Sequence, residues 1–175
     1  MITIISGTNR KASNSLKVSK LYQGALKNKG LESQILDLAE LPSDFITNMY
    51  GNHTEEVTQL ITKNITKASQ FVFVIPEYNG TYTGIVKLLI DGVSPSFFKN
   101  KKAILVGVAS GRAGNIVGLE QFTTVLNHLH VEVLSNKVLL SQIDGLLNPS
   151  GEIIDTKTLE TIDNQLNKMI DLHLN

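Results

Sequence analysis

The sequence alternates short apolar runs with longer amphipathic stretches, and this alternation restricts the fold more than any other feature. The clearest run is FVFVI at positions 71–75, which ends at Pro76. Similar runs occupy positions 2–6 and 102–109, and weaker ones lie in 33–38 and within 131–140. Apolar strands that alternate with helices are typical of a parallel sheet with helices on both faces. The pattern therefore predicts an α/β fold with five strands.

The longer stretches predict the helices, because their apolar residues recur with the three- and four-residue spacing of a helix face. The predicted helices cover residues 13–29, 55–69, 82–93, 118–129 and 156–172. Gly30 is expected to end the first helix, and Asp155 to cap the start of the last one. Residues 40–54 predict a loop with a short helical turn, and residues 145–151 predict a polar turn.

Length and composition are those of one ordinary globular domain. The chain has 175 residues, of which 42% are hydrophobic and 18% charged. We therefore expect residues 1–175 to form a single domain rather than a disordered chain. The chain contains no cysteine, which excludes disulfides, thiol nucleophiles and thiolate metal sites.

The charges balance, with 16 basic and 16 acidic side chains. A general nucleic-acid binder needs an excess of Lys and Arg, and so does a polybasic membrane-surface protein. We therefore expect neither nucleic acid nor membrane as a partner. The first apolar run is too short for a signal peptide. No run approaches the length of about 18 apolar residues that a membrane span needs. A cytoplasmic location is the resulting expectation.

The positive charges are concentrated at the beginning of the chain. Residues 1–31 contain six Lys or Arg residues and no Asp or Glu. Such a local surplus indicates an anion site, although a solvated, lysine-rich helix face explains it equally well.

The loop after the first strand has the composition of a phosphate site. It carries hydroxyl and amide side chains and two cations, has no carboxylate, and leads into a helix N-terminus. Free N–H groups and the helix dipole favour an anion there, and Arg10 can add a charge-assisted hydrogen bond. Thr8, Ser13 and Ser15 can donate to phosphate oxygens as well. Ser13 or Asn14 can instead serve only to cap the helix.

Two further glycine-rich loops follow the third and fourth strands, at residues 76–84 and 110–115. The first of them combines two tyrosines, which offer aromatic surface, with an Asn-Gly pair. In a doubly wound sheet, such loops meet at the carboxyl edge of the strands, where ligands bind. We therefore expect one crevice to form from all three loops. Alternatively, the loop at residues 76–84 is an ordinary Asn-Gly turn, and the loop at residues 110–115 is a flexible connection.

These loops resemble those of the NAD(P)H-dependent FMN reductase family of flavodoxin-like proteins, which includes quinone, azo-dye and chromate reductases. Thr8, Arg10 and Ser13 match the family pattern G-S-x-R-x-x-S-x-N, whereas Ser15 stands where the family has Asn. The string P-E-Y-N-G-T at positions 76–81 is close to the family's P-E-Y-N-G-S and is the most specific part of the match. The segment 86–91 follows L-K-N-x-x-D, with Leu88 in place of Asn, and residues 110–115 resemble S-x-G-x-x-G.

The resemblance implies a flavodoxin-like three-layer sandwich with a five-stranded parallel sheet in the order 2-1-3-4-5, and FMN at its carboxyl edge. The implied phosphate ligands are Thr8, Arg10, Ser13 and Ser15, with Asn14 beside them. The residues implied to lie along the isoalloxazine ring are Pro76, Glu77, Tyr78, Asn79 and Gly80, with Ser110, Gly111 and Arg112 on its other rim.

The activity that the resemblance implies is transfer of a hydride from NADPH or NADH to FMN and then to a small acceptor, such as a quinone, an azo compound, free flavin or a metal oxyanion. The flavin carries this chemistry, so we expect no catalytic side chain. Family members are commonly dimers or tetramers, and the segment with Lys87 and Asp91 resembles their interface helix. A simple i,i+4 ion pair, worth about 0.3–0.5 kcal/mol, also explains this pair of residues.

Two other functions stay open on the sequence alone. The first is a flavodoxin-like electron carrier or binding module without substrate turnover, although the neutral net charge and Arg10 count against this interpretation. A nucleotide-binding α/β protein that never binds flavin is the other alternative. The histidines, His53, His128, His130 and His173, do not predict a metal site, because the closest pair has an i,i+2 spacing.

Overall fold

The computed structural model describes residues 1–49 and 51–171. Tyr50, in the predicted loop 40–54, lies outside the described residues, as do Leu172, the predicted end of the last helix, and His173. The strands are β1 (Ile2–Ser6), β2 (Ser33–Asp37), β3 (Gln70–Pro76), β4 (Lys102–Val108), β5 (Glu132–Val133) and β6 (Val138–Leu140). They form one parallel sheet in the order β2-β1-β3-β4-β5, with β6 also paired to β4. This confirms the predicted order of strands.

The helices lie close to their predicted positions. They are α1 (Asn14–Asn28), α2 (Glu55–Ile61), α3 (Gly84–Gly92), α4 (Ile116–His128), α5 (Ile143–Leu146) and α6 (Thr156–Asp171). A π-helical turn, Thr62–Thr66, extends α2. The 3-10 turn Ser43–Phe45 lies in the predicted loop 40–54, whereas Leu38–Glu40 begins within the predicted strand 33–38 and reaches only the first residue of that loop. The short α5 overlaps the segment 145–151, which the sequence predicts as a polar turn.

Two hydrophobic cores cover the two faces of the sheet, which explains why its central strands are apolar throughout. All seven residues of β3 are buried. On one face, Phe73 of β3 meets Phe122 of α4 edge to face, with 5.0 Å between ring centroids. On the other face, Val72 belongs to a core that α1 and α6 complete, with Tyr22 and Leu166 fully buried in it.

The fifth strand predicted within residues 131–140 is present, but the structure divides that segment into two short strands, β5 and β6. A side chain fills the gap between them. The Gln165 amide donates hydrogen bonds to the carbonyl oxygens of Leu105 (3.0 Å) and Asn136 (2.8 Å). The Tyr22 hydroxyl in turn donates to Gln165 Oε1 (2.8 Å), and burial raises the pKa of this phenol. Gln165 thereby satisfies backbone groups that a continuous strand would have paired.

The helix ends agree with the predicted caps. The Ser13 side chain accepts a hydrogen bond from the Leu16 N–H (3.1 Å) at the start of α1. Asp155 accepts one from the Thr158 N–H (2.8 Å) at the start of α6. Gly30 follows the end of α1 with a φ of 75°, the left-handed conformation that glycine adopts most easily. Within the described residues, no helix is long and apolar enough to cross a bilayer.

Candidate functional site

A cavity of about 480 Å³ lies at the carboxyl edge of the sheet, where the loops after β1, β3 and β4 meet. This size falls within the ordinary range of ligand pockets, about 300–1,000 Å³. The residues predicted from the sequence that line it are Thr8, Arg10, Ser13, Asn14, Ser15, Pro76, Glu77, Tyr78 and Ser110. The fold therefore brings together most of the predicted site residues.

Four predicted site residues do not line this cavity. Gly80, Gly111 and Arg112 are exposed, and Gly111 and Arg112 belong to the outer part of the loop after β4. Asn79 faces a neighbouring open cleft of about 670 Å³, together with Tyr82 of the same loop. Tyr78 lines both the cavity and the cleft, so its ring separates the two spaces.

The loop after β1 is shaped by a close contact at Gly7. Its N–H donates to the Val74 carbonyl (2.8 Å), and the Thr83 hydroxyl donates to the Gly7 carbonyl (2.6 Å). A Cβ at this position would lie 2.9 Å from the Val74 oxygen, so only glycine fits. Further on, Ala12 has a φ of 51°, which turns the chain into α1. The first turn of α1 thus begins at the wall of the cavity and holds no acidic residue.

Thr8 is fully buried, and its hydroxyl connects the first loop with the second. Thr8 Oγ1 accepts a hydrogen bond from the Arg10 N–H (3.2 Å) and lies 2.7 Å from the Tyr78 hydroxyl. The Arg10 guanidinium carbon lies 6.0 Å from the centre of the Tyr78 ring. With two neighbours already present, Thr8 has a proton free for an anion only when Tyr78 donates to it.

The loop after β3 contains a tight two-residue turn. Tyr78 and Thr81 exchange backbone hydrogen bonds of 3.0 and 3.2 Å. Between them, Asn79 and Gly80 have φ values of 52° and 79°. This is the hairpin geometry for which Asn-Gly is the preferred sequence. The Asn-Gly pair therefore makes an ordinary turn, and this turn fixes the position of Tyr78 at the cavity.

Glu77 joins the second loop to the start of α4. Its carboxylate accepts a hydrogen bond from the Asn115 N–H (3.1 Å), and its own N–H donates to the Val108 carbonyl (2.9 Å). The Asn115 side chain donates to the Ile75 carbonyl (3.1 Å). A carboxylate beside a helix N-terminus is favourable. The Glu77 carboxylate thus has a structural partner, and the residue also lines the cavity.

Asp144, on α5, lines the cavity and was missed by sequence reasoning. Its carboxylate oxygens accept hydrogen bonds from Asn14 Nδ2 (2.9 Å) and from the Ser110 hydroxyl (3.3 Å). The signal that could have found it is its place just after β6, because ligands bind beyond the ends of parallel strands. The uncertain limits of the fifth strand hid this position.

His53, His128 and His130 lie apart from the cavity. His53 Nε2 is hydrogen-bonded with the Gly92 carbonyl (2.7 Å). His128 ends α4, and His130 follows it in a left-handed conformation with a φ of 58°. Across residues 1–49 and 51–171, no cluster of His, Asp and Glu could hold a metal ion.

Comparison with known proteins identifies the family. The model of the NADPH-dependent FMN reductase family matches residues 1–145. The chain belongs to this family. It is 26% identical to an NAD(P)H-dependent FMN reductase of Pseudomonas aeruginosa over 167 residues, which cover 93% of this chain and 89% of that protein. It is 30% identical to an FMN-dependent NADPH-azoreductase of Staphylococcus saprophyticus over 137 residues, covering 75% of this chain and 68% of the relative.

Solved oxidoreductase structures have the same fold as this chain. The flavoenzyme NAD(P)H:(acceptor) oxidoreductase FerB of Paracoccus denitrificans superposes with a TM-score of 0.81 and 21% identity, over 97% of this chain and 94% of FerB. This likeness confirms the flavodoxin-like sandwich that the sequence motifs imply. The alternative of a nucleotide-binding protein outside the reductases is not favoured, because the family model belongs to reductases.

Proposed function

We propose that this protein binds FMN in the cavity at the carboxyl edge of the sheet and catalyses the NAD(P)H-dependent reduction of a small acceptor. The observation that carries the proposal is the meeting of two dissimilar surfaces in one cavity. One is the hydroxyl- and arginine-bearing loop that opens α1, and the other is the aromatic loop after β3. A flavin nucleotide has the same two ends, a phosphate and a flat ring system.

The first surface fits a phosphate. Arg10, Ser13 and Ser15 border the cavity at the start of a 15-residue helix whose first turn holds no acidic residue. Backbone N–H groups at such a helix end, together with the dipole, favour an anion. The roles of these residues would be to orient the phosphate and to balance its charge. Ser15, which stands in place of the family's Asn, still offers a hydroxyl donor at the cavity wall.

The second surface fits the ring system. Pro76 and Tyr78 line the same cavity, and the Asn-Gly turn holds Tyr78 in place. Glu77 keeps this loop tied to α4, as its hydrogen bond with Asn115 shows. When bound, FMN supplies the redox chemistry, which is the acceptance of a hydride from reduced nicotinamide and its delivery to an acceptor. The tasks of the chain are then to hold the ring and to leave one face open.

The acceptor that we propose is a quinone, an azo compound, free flavin or a metal oxyanion, all of them small molecules. Relatives named as an FMN reductase and as azoreductases support two members of this range, free flavin and azo compounds. The carrier alternative is not favoured, because these relatives are named as enzymes and the chain has no acidic surplus. We propose further that residues 1–175 act as one FMN-binding domain. The cytoplasmic location stays a prediction.

Turnover by the FMN-loaded protein tests the proposed function. Oxidation of NADPH or NADH is followed by absorbance, with a quinone or an azo dye as acceptor and with no acceptor as the control. We expect consumption of the nicotinamide that depends on both FMN and the acceptor. Binding of FMN without any turnover by either nicotinamide would support the electron carrier instead, and failure to bind FMN would reject the whole proposal.

We also propose a homodimer or homotetramer with α3 in the interface. Lys87 and Asp91 on this helix form an i,i+4 ion pair with Nζ–O distances of 2.7 and 2.8 Å, and both side chains are more than 40% exposed. Light scattering of the wild type and of Leu88→Lys tests this. The substitution, next to Lys87, is expected to lower the oligomeric mass, and a mass equal to one chain in the wild type would contradict the proposal.

A further inference from the structure

Asp144 forms a bridge between the start of α1, which borders the proposed phosphate end of the cavity, and the loop after β4. Its two carboxylate oxygens accept hydrogen bonds from Asn14, the first residue of α1, and from Ser110, in the loop after β4. Asn14 Oδ1 also accepts a hydrogen bond from Lys17 Nζ (3.1 Å). One amide hydrogen of Asn14 and the hydroxyl of Ser110, two residues that line the cavity, are therefore engaged by a carboxylate of the protein itself.

The N-terminal segment that Asp144 contacts contains no acidic residue of its own. Residues 1–31 contain no Asp or Glu, and Asp144 lies 130 positions away from Asn14 along the chain. Among the described residues that line the cavity, the other carboxylate is that of Glu77, which accepts the Asn115 N–H at the start of α4. A negative group near a helix N-terminus stabilises the helix, as a phosphate would. Asp144 thus supplies α1 with the anion that its own first turn lacks.

We infer that Asp144 is a specificity-determining residue of the flavin site, an internal anion that opposes the phosphate of FMN. The inference rests on the proposed function. A phosphate at the start of α1 must either displace the Asp144 carboxylate from Asn14 and Ser110 or accept a like charge close to it. Both alternatives weaken the binding of phosphorylated flavin, whereas riboflavin, which has no phosphate, is unaffected. Asp144 therefore makes bound FMN exchange more easily than it would if only the loop after β1 and the start of α1 acted on its phosphate.

The expected size of the repulsion between Asp144 and the phosphate follows from the exposure of Asp144 to solvent. Asp144 is an exposed residue, so its repulsion of the phosphate acts at a high dielectric constant and is screened by salt. Like charges a few ångströms apart in such surroundings change a dissociation constant by about three- to tenfold. The effect should therefore be measurable in low salt and should diminish as the ionic strength rises.

The test is a titration of the purified protein with FMN and with riboflavin, followed by flavin fluorescence at low and high salt. Asp144→Asn removes the charge and keeps one acceptor oxygen, and Asp144→Ala removes both. Asp163→Asn, on the exposed part of α6, is the control for the change in net charge. Far-ultraviolet circular dichroism verifies that each variant is folded.

We expect both Asp144 variants to bind FMN about three- to tenfold more tightly than the wild type at low salt, with less gain at high salt. Riboflavin binding and the Asp163→Asn control should stay within about twofold of the wild type. Weaker or unchanged FMN binding in both variants, or an equal gain for riboflavin, would overturn the inference while the proposed function stands. Wild-type protein that does not bind FMN would end both.

Discussion

The hydroxyl groups of Thr8 and Tyr78 lie 2.7 Å apart, although 70 positions separate these residues along the chain. This contact joins the loop that opens α1 to the loop that carries the aromatic surface. Thr8 is fully buried and also accepts the Arg10 N–H. The two halves of the proposed site are therefore held at a fixed distance by one small cluster of hydrogen bonds.

The Thr8–Tyr78 contact should appear as an energetic coupling. Thr8→Val keeps the volume but leaves the Arg10 N–H without its acceptor and the Tyr78 hydroxyl without its partner, so we expect a loss of about 1–2 kcal/mol in the free energy of unfolding. Tyr78→Phe should cost about 0.5–1.5 kcal/mol. The double variant should lose less than the sum of the two, as measured by urea unfolding. Strictly additive losses would show that the two hydroxyls do not stabilise each other.

The Gln165 amide should contribute strongly to stability, because it satisfies backbone groups at the interruption between β5 and β6. Gln165→Leu leaves the Leu105 and Asn136 carbonyls and the Tyr22 hydroxyl without the partners described above. Because these groups are buried or partly buried, we expect a loss of about 2–4 kcal/mol in unfolding free energy. Gln59→Leu, at an exposed position on α2, is the matched control and should change stability little. An equal change in unfolding free energy for Gln165→Leu and Gln59→Leu would contradict the structural role that we assign to Gln165 between β5 and β6.

Two glycines should respond in opposite directions to alanine. A Cβ at Gly107, on β4, would collide with the Gly114 carbonyl oxygen, so Gly107→Ala should destabilise the protein by about 2–3 kcal/mol. Gly24, inside α1, has open space at its Cβ position. Gly24→Ala should therefore stabilise the helix by about 0.5–1 kcal/mol. Thermal or urea unfolding measures both, and a neutral Gly107→Ala would show that the loop after β4 can move away.

The start of α6 should make stability depend on pH. Hydrogen bonds from the Thr158 hydroxyl and N–H hold the pKa of Asp155 below its ordinary value of 3.8. Since the folded pKa is lowered, the contribution of this carboxylate is present above the unfolded value and is lost as the pH falls through the folded one. Asp155→Ala should therefore be less stable than the wild type at pH 7, with the difference shrinking below about pH 4.

Asp155→Asn serves as the control for this pH dependence, because it keeps an acceptor oxygen without a titrating charge. Its stability relative to Asp155→Ala should stay nearly constant over the same pH range. A wild-type advantage over Asp155→Ala that does not shrink at all as the pH falls below about 4 would contradict the assignment.

The central strands and the loops of the site could be predicted from local sequence, whereas the edge of the sheet that holds β5 and β6 could not. Strands such as β3 are buried on both faces, so their apolar runs stand out. The split between β5 and β6 depends on Gln165, which comes from a helix far along the chain. Asp144 was missed for the same reason, since its relation to Asn14 exists only after the sheet has formed. Arg112, which the resemblance implies to lie at the rim of the ring, is exposed and does not line the cavity.

The most direct test of the proposed function compares FMN with riboflavin on the wild type, Arg10→Ala and Lys20→Ala, by absorbance and fluorescence titration. Lys20, exposed on α1, is the control for loss of one positive charge. The account predicts that the wild type binds FMN. Arg10→Ala should weaken FMN by about ten- to one-hundredfold and riboflavin by less than about twofold, with Lys20→Ala close to the wild type. Equal weakening of both flavins by Arg10→Ala, or no FMN binding by the wild type, would contradict it.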